Sequence, residues 1–398
     1  MAENRPNPLG MTCAAYVRAC AEAGISAAPL AVERYTRLFR DGVTHQSKLA
    51  VTVPSVVRTQ VSESGEGTVL KFCQRVAGAE RPSASGVAGG TALGVLERKP
   101  ELETESVLIP MIGKKRVRSY TLCVSSQVGC AMGCGFCQTA QMGLLRSLTP
   151  EEIVAQWFAA RHLVTRPDPE AEIRNIVFMG MGEPMDNIDN VLAAIDVLTD
   201  NRGPGIAPSR MTISTVGRID GIRKLASRVS QPGWHRLALA VSVNAPNDEV
   251  RSKLMPVNRA WPLAELRAVL LEWPFFAGSH LCLEYVLIPG VNDELRHADE
   301  LGAWVMGDEF RGDADVQRYP GLPLRGLVNV IPYNPRQNSP WPAPTEELVT
   351  TFMERLMASG VYVKRRRTKG RDTMAACGQL GNPEMRRKPR AEPVAAAE

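Results

Sequence analysis

Three cysteines, Cys130, Cys134 and Cys137, form a C-x-x-x-C-x-x-C run inside residues 123–156, CVSSQVGCAMGCGFCQTAQMGLLRSLTPEEIVAQ, with Phe136 just before the third. Soft thiolates this close together suit an iron–sulfur cluster, because iron takes sulfur ligands. Gly129, Gly133 and Gly135 let the backbone wrap an inorganic core. A [4Fe–4S] cube has four irons, so a loop with three ligands leaves one iron open to a group that is not protein. A structural zinc knuckle needs four closed ligands, and neither a nearby His nor a second C-x-x-C supplies the fourth. Disulfides do not fit either, since nothing marks the chain as secreted.

At 398 residues the chain can hold one large domain and a smaller one. No run approaches the ~20 apolar residues of a membrane helix, and the start, MAENRPNPLGMTC, lacks the plan of a signal peptide. Nine cysteines in such a chain imply a reducing compartment, hence the cytoplasm. The net charge of +5 is modest, but its placement is informative. Residues 361–398 carry ten Lys/Arg against four Asp/Glu, so the basic excess lies at the C-terminal end. Lys364, Arg365, Arg366, Arg367, Lys369 and Arg371 crowd into eight positions, which suits a phosphate backbone. Lys114, Lys115, Arg116 and Arg118 form a second basic knot, read as a hairpin tip facing a polyanion.

The chain divides into four stretches. Residues 1–48 have helical spacing (Tyr16, Cys20, Leu30, Tyr35, Leu38, Phe39) and read as a small helical module with a possible RNA contact. Residues 49–118 are β-rich, with runs at Leu49–Val53, Thr68–Gln74 and Val107–Ile112 and a Gly/Ser-rich bend at Ser83–Gly90. From 119 to 380 apolar strands alternate with helices: strands at Tyr120–Ser125, Ile173–Met179, Arg210–Ser214, Leu237–Val243, Leu281–Ile288 and Leu327–Ile331. Thr149-Pro150-Glu151-Glu152 is a capping box with Pro at the first helical position. Six β/α units imply an α/β fold, a partial (β/α)6 barrel with a small helical/β N-terminal domain and its chemistry at the C-terminal strand ends. Residues 308–325 read as an irregular insertion and 381–398 as a disordered tail.

The polar loops all follow strands. Gly180-Met181-Gly182-Glu183-Pro184 offers close backbone approach and a carboxylate for an amino group or a ribose. Ser214-Thr215-Val216-Gly217 offers hydroxyls, Ser242-Val243-Asn244 further polar groups, and Ile331-Pro332-Tyr333-Asn334-Pro335 an amide. Four such loops on one mouth point to a single cofactor site. Near the end, Cys377 stands in Ala375-Ala376-Cys377-Gly378-Gln379-Leu380 behind six cationic side chains, a setting that predicts an accessible thiol of lowered pKa. Cys123 lies outside the spacing of the three-cysteine run. Cys13, Cys20, Cys73 and Cys282 read as packing residues.

Taken together, CVSSQVGC…C…FC, GMGEP, AP-ND-E-R (Ala245 to Arg251), IP-NP and AACGQL resemble the radical S-adenosylmethionine (SAM) ribosomal RNA adenine methyltransferases. These comprise the dual-specificity 23S rRNA/tRNA adenine-C2 enzymes and the related C8 resistance enzymes. The likeness runs from about Glu105 to Leu380. It implies Cys130, Cys134 and Cys137 as ligands of one [4Fe–4S] cluster whose open iron takes SAM. Gly182, Glu183, Ser214, Ser242, Val243, Asn244 and Asn334 would line the SAM site. Cys377 would carry the methyl group, Cys123 would resolve the intermediate through a transient disulfide with Cys377, and Glu105 would be a proton acceptor.

The resemblance also implies a reaction in which Cys377 takes a methyl group from one SAM. A second SAM is cleaved to a 5′-deoxyadenosyl radical that activates the methyl for addition to an unreactive adenine C–H carbon. Two SAM molecules per turnover, an external electron donor such as flavodoxin or ferredoxin, an exposed base in 23S rRNA and possibly tRNA, and a monomer with no membrane association follow from it. Three features depart from the pattern. Asn244 stands where the family has His, the segment between Pro110 and Cys123 is longer and more basic, and 308–325 is inserted. They leave room for a radical-SAM enzyme acting on a peptide or small molecule. A non-catalytic RNA-binding iron–sulfur protein is the third reading.

Overall fold

The structure, a computed structural model, describes residues 6–46, 49–78, 101–113, 116–276, 279–382 and 385. The bend at Ser83–Gly90, Lys114, Lys115 and nearly all of the expected tail lie outside these residues.

Two helices, α1 (Cys13–Glu22) and α2 (Ala28–Asp41), open the chain. Thr12 caps α1 by accepting from the Ala15 N–H, and α2 ends at Gly42 in the left-handed conformation that suits a helix C-terminus. Their facing sides bury Tyr16, Tyr35 and Phe39, and Phe39 continues onto Trp157 with ring centroids 6.1 Å apart. The helical pair is thereby joined to the main core through aromatic contact.

A short ribbon, β1 (His45–Gln46) with β2 (Leu49–Ala50), leads into four long antiparallel strands. These are β3 (Val56–Ser64), β4 (Gly67–Ala77), β5 (Glu101–Ile112) and β6 (Arg118–Cys123). A small hairpin, β7 (Gln127–Gly129) and β8 (Leu144–Ser147), then brackets the three-cysteine loop and its one-turn helix α3 (Gln138–Gln141). The alternating part follows: α4 (Pro150–His162), β9 (Glu172–Phe178), α5 (Ile188–Thr199), β10 (Met211–Thr215), α6 (Ile219–Val229) and β11 (Ala238–Ser242). It continues with α7 (Asp248–Leu254), α8 (Leu263–Leu271), β12 (Leu281–Leu287), α9 (Leu295–Met306), β13 (Gly326–Pro332), α10 (Glu346–Ala358) and β14 (Val363–Arg365).

All ten strands from β3 on, except the β7–β8 hairpin, belong to one sheet in the order β14-β13-β12-β11-β10-β9-β6-β5-β4-β3. From β6 to β14 every pairing is parallel, and neighbours in space are neighbours in the alternation. This is the partial α/β barrel that the strand–helix alternation implies. The 49–118 segment supplies strands of that same sheet, adding an antiparallel wing to the β6 edge. Strand β3 was not anticipated. Its sequence, VVRTQVSES, is mostly polar and its side chains mostly exposed, as an edge strand permits. Strand β14 lies hidden inside the basic run, and the expected Leu49–Val53 strand shrinks to two residues.

The insertion after α9 is held by Arg267, whose guanidinium donates to the carbonyls of Trp304, Pro320 and Leu322 at 2.6–2.8 Å. It leads into the N-terminal end of β13, the end of the barrel opposite the loops that follow the strands.

Candidate active site

Two adjoining cavities open at the C-terminal ends of the parallel strands. The inner one, about 1030 Å³ counted to its open mouth, is lined by Cys130, Cys134 and Cys137 on one wall. Gly182, Glu183, Ser214, Ser242, Asn244 and Asn334 also face it. The outer one, about 1410 Å³, is lined by Cys123 and by Arg365, Arg366, Arg367 and Lys369. Cys377, Arg366 and Asn334 border both cavities, so the candidate methyl carrier stands at the passage between them.

The three-cysteine loop is shaped by its backbone. Gly129 has φ +75°, and a Cβ there would run into the Gly143 carbonyl, which itself accepts from the Cys130 N–H at 3.0 Å. Cys137 N–H donates to the Cys134 carbonyl at 3.2 Å, and Gly135 N–H to the Leu254 carbonyl at 2.9 Å. Burial is the first cause pushing the thiols of Cys130 and Cys134 up, followed by the neighbouring cysteines. Among the described residues no three His, Cys, Asp or Glu side chains converge closely enough to share one metal ion. Cys130, Cys134 and Cys137 all line one open cavity, and thiolate is the ligand type an iron–sulfur cluster takes, so the residues present fit such a cluster.

The opposite wall is polar and pre-bonded. Gly182, at φ +98°, brings the chain against Gln127, where a Cβ would fall 2.5 Å from the Gln127 Cβ. Glu183 follows it, buried, with Oε1 accepting from Met185 N–H and Oε2 from Val216 N–H. Burial raises its pKa, opposed by these bonds and one to Thr215. Asn244 adopts φ +55°, a conformation Asn tolerates better than most residues, and its Oδ1 accepts from the Val286 N–H at 2.9 Å. Asn in this position ties β11 to β12. Val243 does not line the cavity: its side chain is in the core, its N–H donates to the Glu284 backbone carbonyl and its own carbonyl accepts from Arg251.

Arg251 was read only as part of a motif, yet it is fully buried at 0 % exposure and knits the polar loops together. Its guanidinium donates to the carbonyls of Val243, Val216 and Ser242 and to Asn258 Oδ1, at 2.6–3.2 Å. Burial pushes its pKa down to about 10.

Glu284 was also missed. It is 5 % exposed and faces the inner cavity from β12, accepting from Asn329 Nδ2 at 3.2 Å, from the Cys282 thiol at 3.3 Å and from Arg366 Nη1 at 3.3 Å. The available signal was an ionisable residue inside the otherwise apolar strand LCLEYVL.

The charge around Cys377 differs from the expectation of a lowered pKa. Burial raises its thiol pKa, and the pull of Arg366 only partly offsets that. Burial likewise pushes Cys123 up to about 12, with Cys377 the next cause. Three of the six cations in the basic run are paired with protein carboxylates. Arg365 meets Glu346 at 2.5 Å, Arg366 meets Glu284, and Lys369 meets Glu66 at 2.9 Å. Arg371 donates to Asn334 Oδ1 at 3.3 and 3.4 Å. Arg367 is exposed on the outer cavity and, among the described residues, has no carboxylate within ion-pair distance.

Glu105 lies in neither cavity wall. It is buried at 3 % exposure beneath the Cys377 loop, bonded to Lys71 Nζ at 2.8 Å and to the Gly381 N–H at 2.9 Å.

Comparison with known proteins is consistent with this geometry. Residues 124–301 match the family model of the radical SAM superfamily. The chain is 41 % identical over 301 residues to a probable dual-specificity RNA methyltransferase RlmN 1 of Protochlamydia amoebophila, covering 75 % of each chain. It is 36 % identical over 390 residues to the dual-specificity RNA methyltransferase RlmN of Phenylobacterium zucineum, covering 96 % of this chain and 91 % of the relative. A radical SAM methyltransferase from Sphaerobacter thermophilus superposes with a TM-score of 0.75 at 31 % identity, over 94 % of this chain and 98 % of that one.

Proposed function

Because this chain belongs to the RlmN dual-specificity RNA methyltransferases of the radical SAM superfamily, we propose that it methylates an adenine ring carbon in 23S rRNA, and in tRNA as a second substrate, through a methyl group carried on Cys377. That membership replaces the peptide or small-molecule reading and the non-catalytic one. The observation that carries the proposal is the placing of Cys377 at the border of both cavities, with the three cysteines behind it and Cys123 with the basic face ahead.

Cys130, Cys134 and Cys137 would hold a [4Fe–4S] cluster, and Gly182, Glu183, Ser214, Ser242, Asn244 and Asn334 would surround SAM. Bound there, cluster and SAM supply the one-electron chemistry that protein side chains lack. The remaining work belongs to the chain. Cys377 reaches the inner cavity to accept a methyl on sulfur, losing its proton, and the outer cavity to present that group to a base. Arg366 favours the thiolate form. Cys123, on the outer cavity, would attack the Cys377 sulfur after the base is joined to it. The carbon–sulfur bond then breaks with its electron pair passing to the released carbon, which takes up a proton to complete the methyl group, and a disulfide forms. The outer cavity would take an unpaired or splayed nucleotide, because the ring carbon is unreachable in a stacked duplex. Val243 would contribute no side chain to this site. No helix among the described residues is long and apolar enough to cross a membrane. A cytoplasmic monomer, two SAM per turnover and a flavodoxin- or ferredoxin-type donor complete the reading.

The test is nucleoside mass spectrometry of rRNA and tRNA from a strain lacking the protein. Loss of 2-methyladenosine or 8-methyladenosine from one RNA position, restored by the intact gene, supports the reading. Unchanged RNA contradicts it.

A further inference from the structure

The loop that carries Cys377, residues 370–381, is fastened at both ends to the antiparallel wing of the sheet. Lys71 on β4 and Glu105 on β5 form an ion pair, Nζ to Oε2 at 2.8 Å, with both side chains almost fully buried. Each also bonds the loop. Lys71 Nζ donates to the Met374 carbonyl at 3.2 Å, and the Gly381 N–H donates to Glu105 Oε2 at 2.9 Å. Met374 precedes Cys377 by three residues and Gly381 follows it by four. Met374 has φ +51°, a conformation that costs energy for a residue of its kind and needs an external restraint. A buried ion pair is in general no more stabilising than apolar side chains of the same volume, so its presence here calls for a purpose besides stability.

We propose that Lys71 and Glu105 are positioning residues, a staple that holds the Cys377 loop across the junction of the two cavities. The proposal rests on Cys377 being the methyl-carrying thiol, and it gives Glu105 a different part from the proton acceptor implied by the resemblance. Neither residue borders either cavity, so neither touches the reacting atoms in this arrangement. Their influence passes through the loop backbone. The antiparallel wing thus has a task at the active site: it is the anchor for the loop that must face SAM on one side and RNA on the other.

The experiment compares the holoenzyme with the double variant Lys71→Met/Glu105→Leu, which leaves the buried position neutral and apolar so that folding is preserved. Each is treated with iodoacetamide, and the alkylation rate of every cysteine is read by peptide mass spectrometry. The staple predicts that Cys377 reacts at least roughly tenfold faster in the variant, since two hydrogen bonds to charged groups have been lost. Cys20, buried between the N-terminal helices, should keep its parent rate. An unchanged rate at Cys377, or an equal rise at Cys20, overturns the proposal. Glu105→Gln supplies a second readout. The staple predicts slower methyl loading of Cys377 before any RNA is added, and no build-up of a protein–RNA adduct. Normal loading followed by a trapped adduct would make Glu105 the proton acceptor and overturn the staple. If the parent protein loads no methyl on Cys377, the proposed function fails, whereas the alkylation result still decides the staple.

Discussion

Arg366 and Glu284 are paired at the wall of the inner cavity, Nη1 to Oε2 at 3.3 Å. The same guanidinium is the main influence opposing the burial that raises the Cys377 thiol pKa, and Cys377 is in turn the main influence holding Arg366 protonated. A residue that reads in the sequence as one of six phosphate-binding cations therefore stands between a buried carboxylate and a thiol.

Arg366→Met should move the pH profile of Cys377 methylation upward. The thiolate is the nucleophile, so loading rises as pH climbs toward the thiol pKa. Burial already places that pKa above the ordinary thiol value, and loss of the nearby cation raises it further. Single-turnover formation of S-methylcysteine, followed from pH 7 to 11, should be roughly tenfold slower at neutral pH and recover as the pH approaches the raised pKa. A uniform loss without a shift would mean that Arg366 acts only through packing.

The basic run should be unequal in RNA binding. Arg367→Gln should lower the slope of log affinity against log salt by about one, the effect of a single phosphate contact. Arg365→Gln should change it much less, because Glu346 already neutralises that guanidinium at 2.5 Å. Equal effects at the two positions, measured by filter binding over a salt series, would show that the ion pair opens on binding.

Replacing Arg251 by Leu should destabilise the protein by about 2–4 kcal/mol, since three carbonyls and Asn258 Oδ1 lose a buried charged donor together. Thermal unfolding followed by circular dichroism gives the value. A change below about 0.5 kcal/mol would show that the loops are held by other bonds.

Gly129→Ala should bind little iron even though all three cysteines remain. The positive φ and the Gly143 carbonyl leave no room for a side chain, so the loop must shift. Iron and sulfide analysis after anaerobic reconstitution should fall well below the parent level. Full loading would show that the loop adapts around the cluster.

How much of this was legible in the sequence depended on whether the cause was local. The start of α4 could be read at Thr149 because a capping box is contained in four residues, and both of its bonds are present, Thr149 N–H to Glu152 and Glu152 N–H to Thr149. The parallel strands β11, β12 and β13 stood out because burial on both faces makes them largely apolar, while β9 and β10 carry polar residues and were placed by the alternation with helices. Strand β3 was not, since an edge strand with an exposed face has no such run. The pairings of Arg366 with Glu284 and of Lys369 with Glu66 join residues 82 and 303 positions apart, so charge count alone did not show which cations have a partner inside the protein. Glu105 was named through the family resemblance, but its place beneath the Cys377 loop involves Lys71, which no local pattern singles out. Glu284 and Arg251 share that difficulty. Each is a charged residue with partners on other elements, Glu284 with Asn329 and Arg366, and Arg251 with Val216 and Asn258.

The most direct test of the account is the Cys123→Ala variant, reconstituted with its cluster and given SAM, a reductant and substrate RNA. With the resolving thiol gone, methyl loading and joining of the base should proceed, and the reaction should stop at RNA covalently bound to Cys377. A nuclease-sensitive band of low mobility on a denaturing gel, mapped to Cys377 by mass spectrometry and absent from Cys377→Ala, is the predicted result. Free methyladenosine produced at the parent rate by Cys123→Ala, or by Cys377→Ala, would contradict it.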